Sequence, residues 1–322
     1  MVTTRKRNLK EGEETRKARK VEDKDEQASN EEAQVTDETK ESLNGKAKEE
    51  TSKETKETTS GLKDDRIIET GHIYFFYRPK VGVDKPEDPD DVQRLYMILK
   101  PDGGKSKSRL IIITRKKLPE IGQHAKYWAF VKKAANDVGE LRDELKEEKY
   151  ETKTKGTRVN QAARPLGEGV YAIVNHHNHS HIAYILTIPS EPSEIQESFN
   201  IGKEGSFVLS VKNPETANPP YAGLSPNQKA EFPQELQEKF RGRRFISLDP
   251  PDFLDYDYCE MLLIGASGDV VGELGKAGET LENMEEKDEV NVTKLGEEDA
   301  IFKQLKLHKE EHPVEPLHGE WS

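Results

Sequence analysis

Hydrophobic residues in this chain occur in short runs, many of which alternate with polar residues at the two-residue period of β-strands. The strands that this pattern predicts are Gly71–Pro79, Val92–Pro101, Ser108–Arg115, Tyr127–Val131, Gly169–Asn175, Ser180–Pro189, Phe207–Lys212, Phe245–Leu248 and Glu260–Ile264. Helices are predicted at Val138–Lys149 and Pro233–Phe240. Most of the strands are joined as hairpins, which favours a mostly antiparallel α+β fold.

Two segments resemble each other, FVKKAANDVGEL at Phe130–Leu141 and LLIGASGDVVGEL at Leu262–Leu274. In the first, Asp137 fits an N-cap and Glu140 completes a capping box. Three strand-like segments precede each copy, so the sequence predicts a tandem duplication. The expected fold is α+β, with mostly antiparallel sheets and two diverged copies of a β-β-β-β-α unit flanked by disordered tails. The alternative is that strand exits share turn chemistry.

Composition changes this picture at the two ends of the chain. Hydrophobic residues make up 32% and charged residues 35%, a balance typical of disordered segments around a normal core. We therefore expect a disordered charged arm at 1–65, a first half at 66–149, a polar linker at 150–168, a second half at 169–275 and an acidic, mostly disordered tail at 276–322. The net charge is −12, and residues 271–322 carry 14 acidic against 6 basic residues.

The sequence predicts a nuclear or cytoplasmic protein that is neither secreted nor membrane-bound. The single cysteine suits a reducing compartment, and no apolar run approaches the length of a membrane span. Two basic clusters near the N-terminus have the form of a bipartite nuclear-import signal, and the alternative is an ordinary charged tail. Their residues are Lys6, Arg7, Arg16, Lys17, Arg19 and Lys20.

A histidine-rich hairpin is the candidate metal site of the sequence. His179 and His181 lie two residues apart on one strand and so share a face, and His176 lies across the turn. Neutral imidazoles so placed can bind zinc, iron or copper, with His72 or His124 as a further ligand. The alternative is a set of exposed turn histidines. No cofactor is predicted.

Motifs for nucleophilic or phosphate chemistry are incomplete. Gly104-Lys105-Ser106 lacks the first glycine of a phosphate-binding loop. The stretch around Ser267 resembles a nucleophile elbow, but Asp269 stands at the last glycine position. The acidic cluster that begins at Asp249 has carboxylates that can hold a metal or do acid–base work, but its spacing in a Pro-rich loop fixes no geometry, and compensation of the preceding arginines explains it. No catalytic residue is predicted.

A basic stretch between residues 100 and 133 is interleaved with aromatic residues, a pattern that can bind nucleic acid through phosphates and stacking. The candidate phosphate contacts are Lys105, Lys107, Arg115, Lys116 and Lys117. The alternative is that the aromatic residues fill the core. At the other end of the chain, Trp321 closes a largely polar tail and resembles a docking peptide for a protein partner.

Five strings, GHIYFFYRP, DDVQRLYMILKP, YETKTKGTR, FRGRRFISLDPPDFLDY and LLIGASGD, resemble those of a largely uncharacterised family of fungal proteins with bacterial relatives. Fungal members are often labelled BTB-domain transcription factors. The resemblance covers residues 66–275 and implies no functional residue.

The leading functional hypothesis is a non-enzymatic nuclear protein that binds a partner in chromatin or transcription. It depends on the basic arm, the Trp-ended tail and the incomplete catalytic motifs. The first alternative is a metal-dependent enzyme that uses the hairpin His176–His181. The second is a nucleic-acid-binding module that uses the basic stretch.

Overall fold

The computed structural model describes residues 66–153, 156–177, 179–219, 222–225 and 227–321. These residues form eleven strands. The strands are β1 (Arg66–Pro79), β2 (Val92–Pro101), β3 (Ser108–Ile113), β4 (Lys126–Ala135), β5 (Glu148–Thr152), β6 (Gly156–Asn160), β7 (Arg164–His176), β8 (His179–Ile188), β9 (Glu204–Lys212), β10 (Phe245–Ser247) and β11 (Glu260–Gly265).

Eight of these strands close into an antiparallel barrel in the order β9-β11-β4-β3-β2-β1-β7-β8. Pairing of β8 with β9, from Ser180 opposite Leu209 to Ile185 opposite Glu204, joins the two ends of the sheet. The short β10 continues this side of β9 beyond the end of β8. Because closure pairs each of the eight strands on both sides, the barrel removes the free edges that an open sheet would expose.

Alternate residues along each barrel strand fill the interior or the outer face. Ile73, Phe75 and Tyr77 of β1 belong to the large interior cluster, together with Tyr171 and Tyr184 from β7 and β8. The intervening Tyr74 and Phe76 are also fully buried, but they belong to a second cluster on the outside. Because the outer face is also apolar, other elements must pack on it to shield it from water.

The helices supply that cover. They are α1 (Glu194–Ser198), α2 (Gln234–Glu238), α3 (Val270–Leu274), α4 (Lys276–Leu295) and α5 (Glu297–Leu305). The long α4 packs through Ala277 and Leu281 on the outer side of β7 and β8, whereas α5 buries Ile301, Phe302 and Leu305 over β1, β2 and β3. Residues 276–305 thus differ from the mostly disordered tail that the sequence predicts, because the apolar stripe of each helix is paired with an apolar barrel face.

The predicted α+β fold with two β-β-β-β-α copies is wrong: the structure is a mostly β fold around one closed barrel. Each predicted half supplies four neighbouring strands, and the two sets join into one ring through the pairings of β4 with β11 and of β1 with β7. The error has a physical cause. Strand patterns are local, whereas the pairing that inserts β11 between β4 and β9 depends on contacts far apart in the chain.

The resemblance between the two repeated segments reflects neighbouring strands with similar exits. β4 and β11 are antiparallel partners, and each leads to an Asp-capped turn. Asp137 accepts from the backbone of Gly139, and Glu140 completes the predicted capping box. Asp269 accepts from Gly272 instead. Both segments therefore lead from adjacent barrel strands into a turn that an aspartate caps.

Other predictions of individual elements are confirmed in full or in part. The strand Val92–Pro101 is confirmed with the predicted bounds, and the hairpin between Gly169–Asn175 and Ser180–Pro189 is confirmed as β7 and β8. The predicted helix Val138–Lys149 is a shorter 3₁₀ helix, Val138–Glu144. The polar linker contains the β5–β6 hairpin, which its composition did not indicate.

No helix in the described part of the chain is long and apolar enough to cross a membrane.

Candidate metal centre

Three side chains with metal-binding chemistry meet on the outer face of the barrel, beneath α4 and α5. His72 lies on β1, Glu168 on the neighbouring β7, and Asp288 on α4, which lies across them. One donor atom from each lies within 4.8 Å of the others. Glu168 is completely buried and Asp288 is 3% exposed. Among the described residues, no other trio of such side chains brings its donors this close.

Three buried polar atoms, one from each of these side chains, have no hydrogen-bond partner. They are Nδ1 of His72, Oε2 of Glu168 and Oδ1 of Asp288. His72 Nδ1 and Asp288 Oδ1 are 3.4 Å apart, and two donors about 2.1 Å from a tetrahedral ion are separated by about the same distance. Unpartnered buried polar atoms are rare in native proteins, because each loses its hydration without compensation. Here three of them belong to side chains whose donor atoms lie within 4.8 Å of one another.

The remaining carboxylate oxygens are held by neighbouring side chains. Thr187 Oγ1 donates to Asp288 Oδ2 at 2.8 Å, and Gln304 Nε2 donates to Glu168 Oε1 at 2.8 Å. Tyr74 donates from its hydroxyl to Gln304 Oε1 at 2.7 Å, which fixes the orientation of the amide. Outer-shell hydrogen bonds of this kind orient metal ligands and leave one oxygen of each carboxylate available.

Burial and neighbouring charges shift the pKa values of Glu168 and His72 at this centre. Burial, with a smaller contribution from the Asp288 carboxylate, raises the pKa of Glu168 from its usual 4.5 to about 8, although Lys100 opposes the shift. Burial lowers the pKa of His72 below its usual value, so the imidazole is neutral at pH 7 and available as a ligand. The site therefore disfavours the second negative charge unless a cation accompanies it.

A cavity of about 840 Å³ opens beside the centre, with His72 and Asp288 in its wall. Lys100, the cross-strand neighbour of His72 on β2, lies in the same wall. The other walls come from α4, α5, the loop after β2 and the segment that starts the Val138–Glu144 helix. Two of the three candidate ligands thus border a space in which a small molecule can reach them.

One imidazole and two carboxylates form a mixed nitrogen and oxygen donor set. Such a set suits divalent ions such as Zn²⁺, Mn²⁺ and Fe²⁺ better than ions that require soft sulfur ligands. A three-ligand site leaves at least one coordination position for water or substrate, which is the arrangement of catalytic rather than structural zinc sites.

The histidine hairpin lies elsewhere on the outer face of the barrel. His181 is 4% exposed, with Nδ1 3.2 Å from Ser206 Oγ and 3.6 Å from Glu273 Oε1. His176 lies with its ring 5.4 Å from that of His181, whereas His179 is exposed at the start of β8. Of the predicted ligands, His176 and His181 are brought together. Metal binding at this hairpin stays a prediction.

The five candidate phosphate contacts are divided between the two ends of β3, which spans about 20 Å. Lys105 and Lys107 precede the strand, and Lys107 donates through Nζ to the carbonyl oxygen of Asp255 at 3.1 Å. Arg115, Lys116 and Lys117 follow it, and Arg115 lies over the ring of Tyr127. The structure therefore does not gather them into one patch, and nucleic-acid binding through them stays a prediction.

The terminal predictions have different outcomes. Trp321 packs against Tyr77 and Phe199, and its carbonyl oxygen accepts from the Tyr77 hydroxyl at 2.6 Å. A docking role for the segment around Trp321 stays a prediction, and it has to allow for these contacts. The six residues of the predicted nuclear-import signal and the whole arm 1–65 lie outside the described residues.

The sequence reasoning missed Glu168 and Asp288 and considered His72 only as a further ligand for the hairpin. Two features of the sequence indicate that Glu168 and Asp288 are buried. Glu168 is a charged residue inside the apolar strand RPLGEGVYAIV, and Asp288 lies on the buried stripe of α4, seven residues after Leu281 and four before Val292.

Comparisons of the chain with protein-family models, with curated proteins and with solved structures find no match. The resemblance to the fungal family therefore stays a prediction.

Proposed function

We propose that this protein is a metal-dependent enzyme that binds one divalent transition-metal ion through His72, Glu168 and Asp288. The first alternative from the sequence thus keeps its chemistry, but its site moves from the hairpin to the centre under α4. The observation that carries the proposal is the convergence of three unpartnered buried donor atoms.

A purely structural role explains these residues poorly. Buried ionic groups in a stable core are normally paired with opposite charge or fully hydrogen-bonded. At this centre two carboxylates face each other and a neutral imidazole, so the arrangement costs stability in the absence of a cation. A divalent ion removes that cost, because it satisfies all three atoms and balances both carboxylate charges.

A catalytic role is supported by the open side of the centre. Two of the three candidate ligands border the cavity, so coordination positions not taken by the protein face a space of the size that small ligands occupy. A bound ion would polarise a substrate oxygen or lower the pKa of a coordinated water. The protein side chains would hold the ion, and Lys100 would supply a positive charge beside it.

The direct test is calorimetric titration of metal-free protein with Zn²⁺ and with Mn²⁺. We expect one equivalent of at least one ion to bind with a dissociation constant of about 1 μM or tighter, a free energy of about −8 kcal/mol. Asp288→Asn keeps an acceptor for Thr187 but removes the charged ligand. It should weaken binding by at least about 100-fold, the upper end of what an outer-shell change costs.

Glu289→Gln is the matched control, because Glu289 is the adjacent acidic residue on α4 and is exposed. It should leave the affinity unchanged within about twofold. Failure of both ions to bind the wild-type protein, or equal binding to the Asp288→Asn variant, would show that the proposal is wrong. Circular dichroism of each variant checks that the barrel has folded.

The nuclear partner-binding role is supported by the N-terminal arm and the tail of the sequence, and it is compatible with a metal centre in the core. It remains a proposal that the geometry of the barrel does not favour over others.

A further inference from the structure

We infer that the cavity beside the metal centre binds a small molecule that carries an oxyanion, a phosphate or a carboxylate, whose oxygens contact the metal ion and the ammonium groups of Lys294 and Lys303. This inference rests on the proposed metal function and adds the substrate class. It follows from the distribution of charge around the cavity.

Basic residues are concentrated around this cavity, although the chain as a whole carries a net negative charge. The protein has a net charge of −12, and residues 271–322 contain only six basic residues among fourteen acidic ones. Three of those six, Lys294, Lys303 and Lys306, line this cavity. A tail whose overall charge repels anions thus presents half of its lysines to one concave surface.

One of these lysines is already neutralised, and two are available. Lys306 Nζ contacts both carboxylate oxygens of Asp137, at 2.8 and 2.7 Å. Lys294 and Lys303 make no ion pair with any side chain that the structure describes, and both are exposed to the cavity or solvent. Their ammonium groups are therefore free to meet a ligand.

The charge balance changes sign when a metal ion is bound. Two positive charges on the ion offset those of Glu168 and Asp288, which leaves Lys100, Lys294 and Lys303 as the uncompensated charges of the cavity. A concave wall of one sign focuses its field and concentrates ligands of the opposite sign. The metal-loaded cavity therefore selects anions, and their oxygens are also suitable ligands for the open coordination positions.

The remaining lining indicates an organic ligand rather than a bare ion. Val138 and Leu295 supply apolar surface, while Asn136, Asn291 and Ser106 supply neutral hydrogen-bonding groups. The volume of about 840 Å³ lies within the range of about 300–1,000 Å³ that small-molecule sites occupy. We therefore expect a molecule with an anionic group at the metal and a partly apolar, hydroxyl-bearing body.

The experiment is titration of the metal-loaded protein with inorganic phosphate in one arm and oxalate in the other. We expect at least one anion to bind with a dissociation constant of about 1 mM or tighter, and about tenfold more weakly to metal-free protein. The arm that binds more tightly identifies the oxyanion. The double variant Lys294→Ala/Lys303→Ala should lose at least about tenfold in anion affinity and keep its metal affinity.

Lys287→Ala is the control, because Lys287 is an exposed lysine of the same helix that does not line the cavity. It should bind both metal and anion like the wild type. Absence of binding by both anions to metal-loaded protein, or anion binding that ignores the metal or the two lysines, overturns the inference while the metal function stands. Absence of metal binding itself overturns the proposed function, so the two failures are distinguishable.

Discussion

Two buried charged clusters on the barrel differ in how their charges are arranged. At one end of the barrel interior, the fully buried Arg109 donates to Glu69 and lies 2.8 Å from Asp255. Tyr171 donates to the same carboxylate at 2.8 Å. On the outer face, by contrast, two acidic side chains, Glu168 and Asp288, have oxygens within 4.8 Å of each other.

The extent to which the protein compensates its own buried charges distinguishes a structural cluster from a binding site. In the interior cluster one cation lies between two anions, so the protein supplies its own compensation. In the outer cluster the neighbouring Lys100 compensates the acids only in part, and the raised pKa of Glu168 marks the remaining deficit. A buried site that needs a partner from solution is a stronger functional candidate than one that is already balanced.

The largest expected effect is on the balanced cluster. Arg109→Leu removes the cation between the buried Glu69 and the partly buried Asp255, so the free energy of unfolding should fall by about 3–5 kcal/mol. Urea denaturation of metal-free protein measures the change. The control is Arg66→Leu, which breaks an exposed ion pair with Asp249 and should cost less than about 1 kcal/mol. Equal costs for the two variants would contradict the view that the interior cluster stabilises the barrel.

The second prediction is that removal of a charge at the outer cluster increases the free energy of unfolding of the metal-free protein. Glu168→Gln removes a buried charge and keeps an acceptor for Gln304, so metal-free protein should be stabilised by about 1–4 kcal/mol at about pH 9. The pKa of Glu168 is raised on folding, so the contribution of this group is fully favourable below pH 4.5 and is lost as the pH rises through about 8. The gain should therefore vanish near pH 5.

Urea denaturation with a chelator at both pH values measures this effect, and calorimetry should show that the same variant no longer binds the metal. Wild-type stability that exceeds that of Glu168→Gln at high pH would mean that the carboxylate is compensated by the protein after all.

The smallest expected effect is the pH dependence of metal affinity. Below about pH 8 the ion must displace a proton from Glu168, so the affinity should fall by up to about tenfold per pH unit towards pH 6.5. The neutral His72 adds no proton in this range, because its pKa is lowered by burial. Competition titrations with a chromophoric chelator measure the slope, and Glu289→Gln should reproduce it. A flat profile would show that Glu168 is not a ligand.

The barrel strands were more accessible to sequence reasoning than the outer site. Strands such as Val92–Pro101 carry their own signal, and Asp137 with Glu140 fixes a turn within four residues. The ring closure was not accessible, because Ser180 and Leu209 meet through a register that no local pattern specifies.

The outer site was hidden by sequence distance. His72 and Glu168 are brought together by the β1–β7 pairing, and Asp288 reaches them only because α4 folds back over the barrel. Compositional reasoning assigned that helix to a disordered tail on account of its charge. The apolar stripe through Leu281 and Val292 predicts a buried face, and the acid on that stripe was the available clue.

The placement of Asp288 has a consequence for the whole C-terminal region. Two candidate ligands belong to the barrel and the third to α4, which crosses it. An ion at this position would therefore connect about the last fifty residues to the barrel. By thermodynamic reciprocity, whatever detaches those residues must also weaken the binding of the ion, and chelation must make them easier to detach. Proteolysis near Gly296, the exposed residue between α4 and α5, would then be slower in the metal-bound protein than in the metal-free protein.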